Sequence, residues 1–188
     1  MWVGLSDPAN SQFVTSEWAR WNTYQWMKVL ADDSDGDGDT DVIKFDVPES
    51  GTAQSGLWVG LAAQKNAVSP HISYYDFTNG DLEYAYKDPS GDPDWQTVDG
   101  AETDAGSFTS LALAWDHRHI SYVDTTEDRL KYAHYDGATW NVEPLDSTGL
   151  GVAWTSLGLC TTYEPGAPRI GYRSDDDLMY ACLLYTSD

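Results

Sequence analysis

Aspartates at alternate positions near the N-terminus are the side chains in this sequence best suited to bind a metal ion. Carboxylates on every second residue of a tightly turning loop can converge on one cation, and Ca²⁺ takes about six to eight oxygen ligands. Gly38 allows the loop to turn, and Asp39 would offer its backbone carbonyl. The predicted ligands of a structural Ca²⁺ site are Asp33, Asp35, Asp37, Asp39 and Asp41.

This loop does not fit a helical EF-hand, which needs a bidentate acid at the twelfth position. Counting from Asp33, that position is Lys44, and the residues around it read as a strand. Mg²⁺ is a poorer fit than Ca²⁺ because it prefers fewer carboxylates and more water. A flexible acidic linker is the alternative, although the aspartates would repel one another without a cation.

C-terminal to this loop, one sequence unit occurs three times. Leu82, Leu130 and Leu178 each begin a Leu-x-Tyr-Ala motif and follow one another at intervals of 48 residues. Each unit alternates apolar and polar residues in short segments rich in Tyr, Trp, Ile and Val, which is typical of strands. Four antiparallel strands in about 40–50 residues is the pattern of a propeller blade. The predicted fold is therefore all-β, a partial β-propeller of about four four-stranded antiparallel blades, with a β-sandwich as the alternative.

Two families resemble parts of this chain. The motif at 71–76 (HISYYD), followed by Leu-x-Tyr-Ala, resembles the sialidase-like (BNR-like) surface repeats of bacteria and archaea across residues 58–181. Residues 1–57, whose opening Trp-Val-Gly-Leu recurs at 58–61, resemble an FG-GAP (integrin-like) blade with a calcium loop between two strands. The resemblance implies a propeller fold and bound Ca²⁺, and it does not by itself imply sialidase chemistry.

The last residues, 182–188 (CLLYTSD), depart from the repeat, which predicts a turn and a Trp-led fourth strand at this point. They resemble read-through of a sequencing adapter and are left out of the fold prediction. The missing strand and the abrupt start predict that the chain is a fragment.

Catalysis is not predicted for these residues. Sialidases use an arginine cluster, a tyrosine nucleophile and an acid, and such groups should be unique to one unit. The tyrosines of the repeat motif recur in every unit instead, which favours packing, and two histidines share one repeat position. No histidine or cysteine spacing indicates zinc. The recurring residues are Tyr84, Tyr132, Tyr180, His71 and His119.

The composition excludes several partners. The 188 residues contain 31 acidic and 10 basic side chains, for a formal charge of −21. Such a surface repels nucleic-acid phosphates and anionic lipids, so neither nucleic-acid binding nor membrane insertion is predicted. Two cysteines are no disulfide framework. We expect an extracellular protein, either secreted or at the cell surface.

Exposed tryptophans at the ends of blades could stack on sugar rings, and the candidates are Trp95, Trp115 and Trp140. Trp95 and Trp140 look equivalent in the repeat, so packing explains them equally well. The predicted function is a non-catalytic, calcium-stabilised binding or adhesion module that recognises a glycan or a protein. A fragment of a sialidase-like glycoside hydrolase, with catalytic residues outside this sequence, and a structural spacer in an adhesin are the alternatives.

Overall fold

The computed structural model of the chain is all-β, since every regular element among the residues it describes is a strand. The strands pair in antiparallel fashion and form four sheets. The predicted all-β class and antiparallel pairing are therefore confirmed. The structure describes the backbone of residues 2–7, 12–17, 29–32, 41–44, 55–62, 71–87, 93–114, 117–146, 151–160 and 166–182. Side chains are described within 58–62, 71–86, 94–114, 117–146, 151–160 and 166–182.

The first sheet, here called the N-terminal sheet, consists of two hairpins joined edge to edge in the order β2-β1-β4-β3. Asp32 lies opposite Asp41 across the second hairpin, so residues 33–40 connect two paired antiparallel strands. The strands are β1 (Trp2–Asp7), β2 (Gln12–Glu17), β3 (Val29–Asp32) and β4 (Asp41–Lys44).

The other three sheets, the repeat sheets, coincide with the three sequence units and follow one another as meanders. The first contains β5 (Ser55–Ala62), β6 (His71–Asp76), β7 (Asp81–Lys87) and β8 (Pro93–Asp99). The second contains β9 (Ala105–Ala114), β10 (His117–Asp124), β11 (Arg129–Tyr135) and β12 (Trp140–Pro144). The third contains β13 (Ala153–Leu159), β14 (Pro168–Ser174) and β15 (Asp177–Cys182).

The hairpin between the second and third strands of each unit is formed by local turn chemistry. Asp76 accepts a hydrogen bond from the Thr78 backbone N–H at 2.9 Å, and Gly80 takes the left-handed conformation that the turn requires. In the second unit, Asp124 accepts from the N–H groups of Thr126 and Glu127 at 3.0 Å. The same turn thus sets the same register in both units.

The repeat sheets stack in series, because β9 packs against strands of the first repeat sheet and against β13 of the third. One apolar cluster joins the first and second sheets, with Leu82 and Tyr84 buried against Ile120 and Tyr122. A second cluster joins the second and third sheets. We call the side of each sheet that carries the Leu-x-Tyr side chains its trailing face, and the opposite side its leading face. Each buried junction is a trailing face against a leading face.

The described residues contain no helix that is long and apolar enough to cross a membrane.

Candidate functional site

The predicted calcium loop falls largely outside the described residues. Asp33, Asp35, Asp37 and Asp39 are not described, and Asp41 is described only as the first backbone position of β4. Across the described part of the chain, no group of three or more His, Cys, Asp or Glu side chains is arranged to hold a metal ion. The metal site therefore stays a prediction. Its donor set suits Ca²⁺, and the hairpin that frames it is present.

The three predicted ligand-binding tryptophans differ from one another. Trp95 on β8 is 49% exposed and meets the edge of the Tyr74 ring, with centroids 6.4 Å apart. Trp140 packs against Tyr84 at 5.1 Å and donates from Nε1 to Oε1 of Gln96 at 2.8 Å. Trp115 lies outside the described residues. Of the two described tryptophans, Trp95 is the one that the structure leaves open to a ligand.

The strand register corrects the proposed equivalence of Trp95 and Trp140. Trp95 lies opposite Ala85, whereas the residue opposite the equivalent Ala133 is Val142. Trp140 lies opposite Tyr135, two positions further along the strand. The two tryptophans therefore occupy different positions of the repeat.

A second set of aromatic residues was not singled out from the sequence. Trp58, Phe108 and Trp154 occupy one position in the first strand of each unit, where the pairing with the second strand is interrupted by a bulge. The ring centroids of Trp58 and Phe108 lie 4.8 Å apart, and those of Phe108 and Trp154 lie 4.9 Å apart. The rings therefore form one continuous row across three sheets, which we call the aromatic row. The recurrence of an aromatic before Val-Gly-Leu or Thr-Ser-Leu was the available sequence signal.

The backbone of the aromatic row is strained. All three residues have positive φ angles, 54°, 55° and 58° in chain order. A left-handed conformation costs a residue with a Cβ about 1–2 kcal/mol, and for bulky side chains it is a genuine outlier. Trp154 is nevertheless 66% exposed and Trp58 is 38% exposed. Phe108 packs against the apolar cluster between the second and third sheets. Trp58 and Trp154 present exposed rings at strained bulges, a feature that is over-represented next to functional sites.

Hydrogen bonds between sheets repeat with the sequence. The Tyr122 hydroxyl donates to Oδ2 of Asp99 at 2.6 Å, and the Tyr172 hydroxyl donates to Oδ2 of Asp146 at 2.7 Å. In the first case the second strand of one unit reaches the last residue of β8, and in the second it reaches a residue just beyond the end of β12. These tyrosines thus serve the stacking of the sheets.

A serine on the second strand makes a further recurring contact with a threonine on the next sheet. Ser73 Oγ and Thr109 Oγ1 are 2.8 Å apart, and Ser121 Oγ and Thr155 Oγ1 are 2.9 Å apart. In the third unit the serine is replaced by Gly171, because Gly171 is the residue that pairs with Tyr180 as Ser73 pairs with Tyr84. A Cβ added at Gly171 would meet nothing within 4 Å.

A charged network is confined to the junction of the first and second repeat sheets. Lys131 Nζ lies 3.0 Å from Asp99 Oδ2 and 2.7 Å from Oδ2 of the fully buried Asp124. Burial tends to lower the pKa of Lys131, but the hydrogen bonds to Asp124 and Asp99 outweigh it, and the pKa is raised. The lysine is therefore held in its charged form and neutralises two acids.

Two histidines occupy the repeat position predicted for a hydrogen-bonded structural role. Nδ1 of His71 is hydrogen-bonded to the Tyr84 hydroxyl, and Nδ1 of His119 lies 2.5 Å from the Tyr132 hydroxyl. Burial lowers the pKa of both histidines to about 4, so both rings are neutral near pH 7. In the third unit, Arg169 donates to the Tyr180 hydroxyl at 3.3 Å instead.

The chemistry available to the buried tyrosines is limited. Burial, together with a hydrogen bond to Asp99, raises the pKa of Tyr122 far above its usual range. The pKa of Tyr172 is raised to about 12 by burial and by its bond to Asp146. Both hydroxyls donate to a carboxylate at a junction between sheets, so each is held in its neutral, hydrogen-bonded form.

The trailing face of the third repeat sheet is open. Leu178 is 89% exposed and Tyr180 is 63% exposed, whereas Leu130 and Tyr132, at the same positions of the second unit, are buried. Apolar side chains of this size that lie together at a surface mark interaction sites.

Comparison of the chain with protein-family models, with curated protein sequences and with solved structures returned no match.

Proposed function

We propose that this chain is a non-catalytic, calcium-stabilised β-propeller module of a secreted or cell-surface protein, and that it binds a glycan through the aromatic row. The observation that carries the proposal is the strained, partly exposed row of Trp58, Phe108 and Trp154 across three consecutive sheets. Serial stacking of four-stranded antiparallel meanders supports the propeller, because radial packing is the arrangement that covers both faces of such sheets.

Chemistry favours a sugar as the ligand. The rings of the row are tilted by 47° and 50° to their neighbours, so they form a ridged apolar surface. Aromatic rings stack on the apolar faces of other rings with little loss of side-chain entropy. The exposed carboxylate of Asp104, which accepts a hydrogen bond from the buried Tyr75, can accept another at the edge of a sugar.

Absence of catalysis is supported by the roles of the residues that could act. The tyrosines are engaged in repeated structural hydrogen bonds and have raised pKa values. Lys131 neutralises buried acids. A site assembled from such groups would have to break the junctions between sheets to reach a substrate.

Calcium would act as a clamp on the N-terminal sheet. Asp32 and Asp41 pair at the mouth of the loop, and the loop between them would otherwise bring several like charges together. A cation would replace this repulsion with coordination and would stabilise the β3–β4 hairpin. Chelation is therefore expected to lower the melting temperature, and an unchanged melting curve in excess chelator would contradict the metal site.

The experiment for the ligand is a glycan array followed by titration with Trp154→Gly. Glycine removes the ring and relieves the left-handed strain, so we expect a variant that melts no lower than the wild type yet loses glycan binding. Trp95→Ala is the matched control, because Trp95 is exposed but lies outside the aromatic row.

Two results would decide against the proposal. Retention of binding by Trp154→Gly would remove the row from the site, and loss of binding by Trp95→Ala alone would move the site to β8. If no glycan binds but a protein is retained on the wild type and not on Trp154→Gly, the row recognises a protein.

A further inference from the structure

Arg118 is a cation that departs from the repeat. Its position comes directly before the histidine or arginine of the second strand, and the other two units have Pro70 and Pro168 there. The register agrees, because Arg118 lies opposite Leu113 as Pro168 lies opposite the equivalent leucine of β13. A residue that served only the stacking of the sheets would be expected to recur, so the replacement indicates a role confined to the second unit.

Three tyrosines surround the guanidinium group of Arg118. Its central carbon lies 5.1 Å from the ring centroid of Tyr84 and 5.0 Å from that of Tyr86, both on the trailing face of the first repeat sheet. It lies 4.5 Å from the ring centroid of Tyr135, which pairs directly with Arg118 in the second sheet. Cation–π contacts with several rings hold a guanidinium in one position. The charged group of Arg118 is therefore fixed at one end of the junction between these sheets.

The N–H groups of Arg118 are not used within the described part of the chain. The other lysine and arginine side chains that the structure describes each bond to an oxygen, and they are Arg129, Lys131, Arg169 and Arg173. Arg118 makes no hydrogen bond or ion pair with a described residue, and none of its nitrogens is a buried atom without a partner. These N–H groups are therefore exposed to solvent and can bind a ligand.

Arg118 favours negative charge in its surroundings, although the whole chain carries a formal charge of −21. Burial and then the charge of Arg118 lower the pKa of His71 to about 4. Burial raises the pKa of Tyr84, the charge of Arg118 opposes this shift, and the charge of Asp94 adds to it. A singly charged anion is therefore attracted to this place, whereas Asp94 would repel a second negative charge on the ligand.

We propose that Arg118 binds the carboxylate of a small ring-shaped ligand, with Tyr86 and Tyr135 in contact with the ring. A planar guanidinium donates two parallel hydrogen bonds to a carboxylate, which carries a single negative charge. Both tyrosines are partly exposed, and aromatic side chains contact other rings with little loss of side-chain entropy. An acidic sugar and an aromatic acid share this chemistry.

The proposed carboxylate site is separate from the aromatic row. Leu113, which lies opposite Arg118, is five residues beyond Phe108 on β9, and this spacing corresponds to about 16 Å along a strand. Trp154→Gly removes a ring from the row and should leave carboxylate binding unchanged. Failure of glycan binding at the row and failure of carboxylate binding at Arg118 can therefore be distinguished.

The first test is an NMR titration of the isotope-labelled chain with ligand concentrations up to about 50 mM, which covers millimolar dissociation constants. We expect glucuronate or benzoate to shift the Nε–Hε signal of Arg118 until the shift saturates. The neutral analogues glucose and benzamide should leave this signal unchanged. The acid that binds identifies the ring as a sugar or as an aromatic ring. No shift with either acid, or an equal shift with its neutral analogue, would overturn the proposal.

The second test separates the shape of the guanidinium from its charge. Arg118→Lys keeps a positive charge among the rings but cannot donate two parallel hydrogen bonds, so carboxylate binding, followed through the backbone amides of β10, should weaken at least about tenfold. Arg173→Gln is the matched control, because it removes an arginine that donates to the Gly151 carbonyl at 3.4 Å, and it should bind as tightly as the wild type.

Melting curves show whether both variants fold, and the titration of the wild type decides the question if Arg118→Lys does not. Unchanged affinity in a folded Arg118→Lys variant would overturn the proposal. An equal loss of affinity in Arg173→Gln would overturn it as well, because net charge would then explain the binding.

Discussion

The trailing faces of the second and third repeat sheets come from the same sequence unit and have different surroundings. In the second sheet, Leu130 and Tyr132 are buried under the next sheet, and Ser121 is hydrogen-bonded to it. In the third sheet, Leu178 and Tyr180 keep the same residue types but are exposed. The apolar residues of the repeat therefore determine where a strand forms and which face its side chains lie on. Whether those side chains are buried depends on the presence of a neighbouring sheet.

The second and third repeat sheets differ most in charge at the position after the motif leucine, which is Lys131 in the second sheet and Met179 in the third. Lys131→Met would make the second sheet like the third and would leave Asp124 buried without its cation. We expect a loss of about 3–5 kcal/mol in the free energy of unfolding, measured by urea denaturation. The double variant Lys131→Met/Asp124→Asn should recover part of this loss, and a fully stable single variant would contradict the assigned network.

Leucine truncation tests burial at the equivalent positions. Leu130→Ala should cost about 2–5 kcal/mol, because it removes methyl groups from a fully buried site. Leu178→Ala should change stability by no more than about 0.5 kcal/mol at concentrations where the chain is monomeric. Equal losses in chemical denaturation would mean that Leu178 is covered in solution.

Two buried histidines, one in each of the first and second repeat sheets, should make the stability of the chain sensitive to acid. The pKa values of His71 and His119 are lowered to about 4 by burial, while the unfolded chain takes up these protons near pH 6.5. Between about pH 4 and pH 6.5 the unfolded chain therefore binds more protons than the folded chain. The free energy of unfolding is at its full value above about pH 6.5 and falls as the pH drops toward 4. The melting temperature of His71→Gln/His119→Gln should fall less steeply over this window than that of the wild type, and parallel slopes would exclude the histidines.

A smaller effect than that of Lys131→Met is expected at the serine position of the second strand. Ser121→Gly loses a buried hydrogen bond and should cost about 1–2 kcal/mol. Gly171→Ser fills open space and reduces the freedom of the unfolded chain, so it should stabilise by about 0.4–1 kcal/mol. Thermal melts of the two variants should shift in opposite directions.

Sequence reasoning identified the strands of the repeat because their alternating pattern and turn residues are local signals. Asp76 and Gly80 shape the turn between the second and third strands of the first unit, and the units at 58–181 form separate sheets. The closure of these sheets into a ring depends on long-range packing and stays a proposal. The calcium loop also stays a prediction.

The aromatic candidates show why the site was harder to foresee. Trp95 and Trp140 looked equivalent in the repeat, but strand pairing places them two positions apart, and Trp140 is packed and hydrogen-bonded. Trp58 and Trp154 looked like ordinary strand residues. A bulge and a positive φ arise from pairing with a neighbouring strand, and no single-sequence pattern reports them.

The bonds between the repeat sheets have a consequence for how the chain folds. The Ser–Thr and Tyr–Asp contacts of the described residues join adjacent sheets only, across 23 to 36 residues of chain. Folding can then begin in any adjacent pair and extend one sheet at a time during synthesis. Among the described repeat sheets, the second is the one packed against a neighbour on both faces. The amides of β10 and β11 should therefore exchange only when the whole stack unfolds, after those of the first and third repeat sheets.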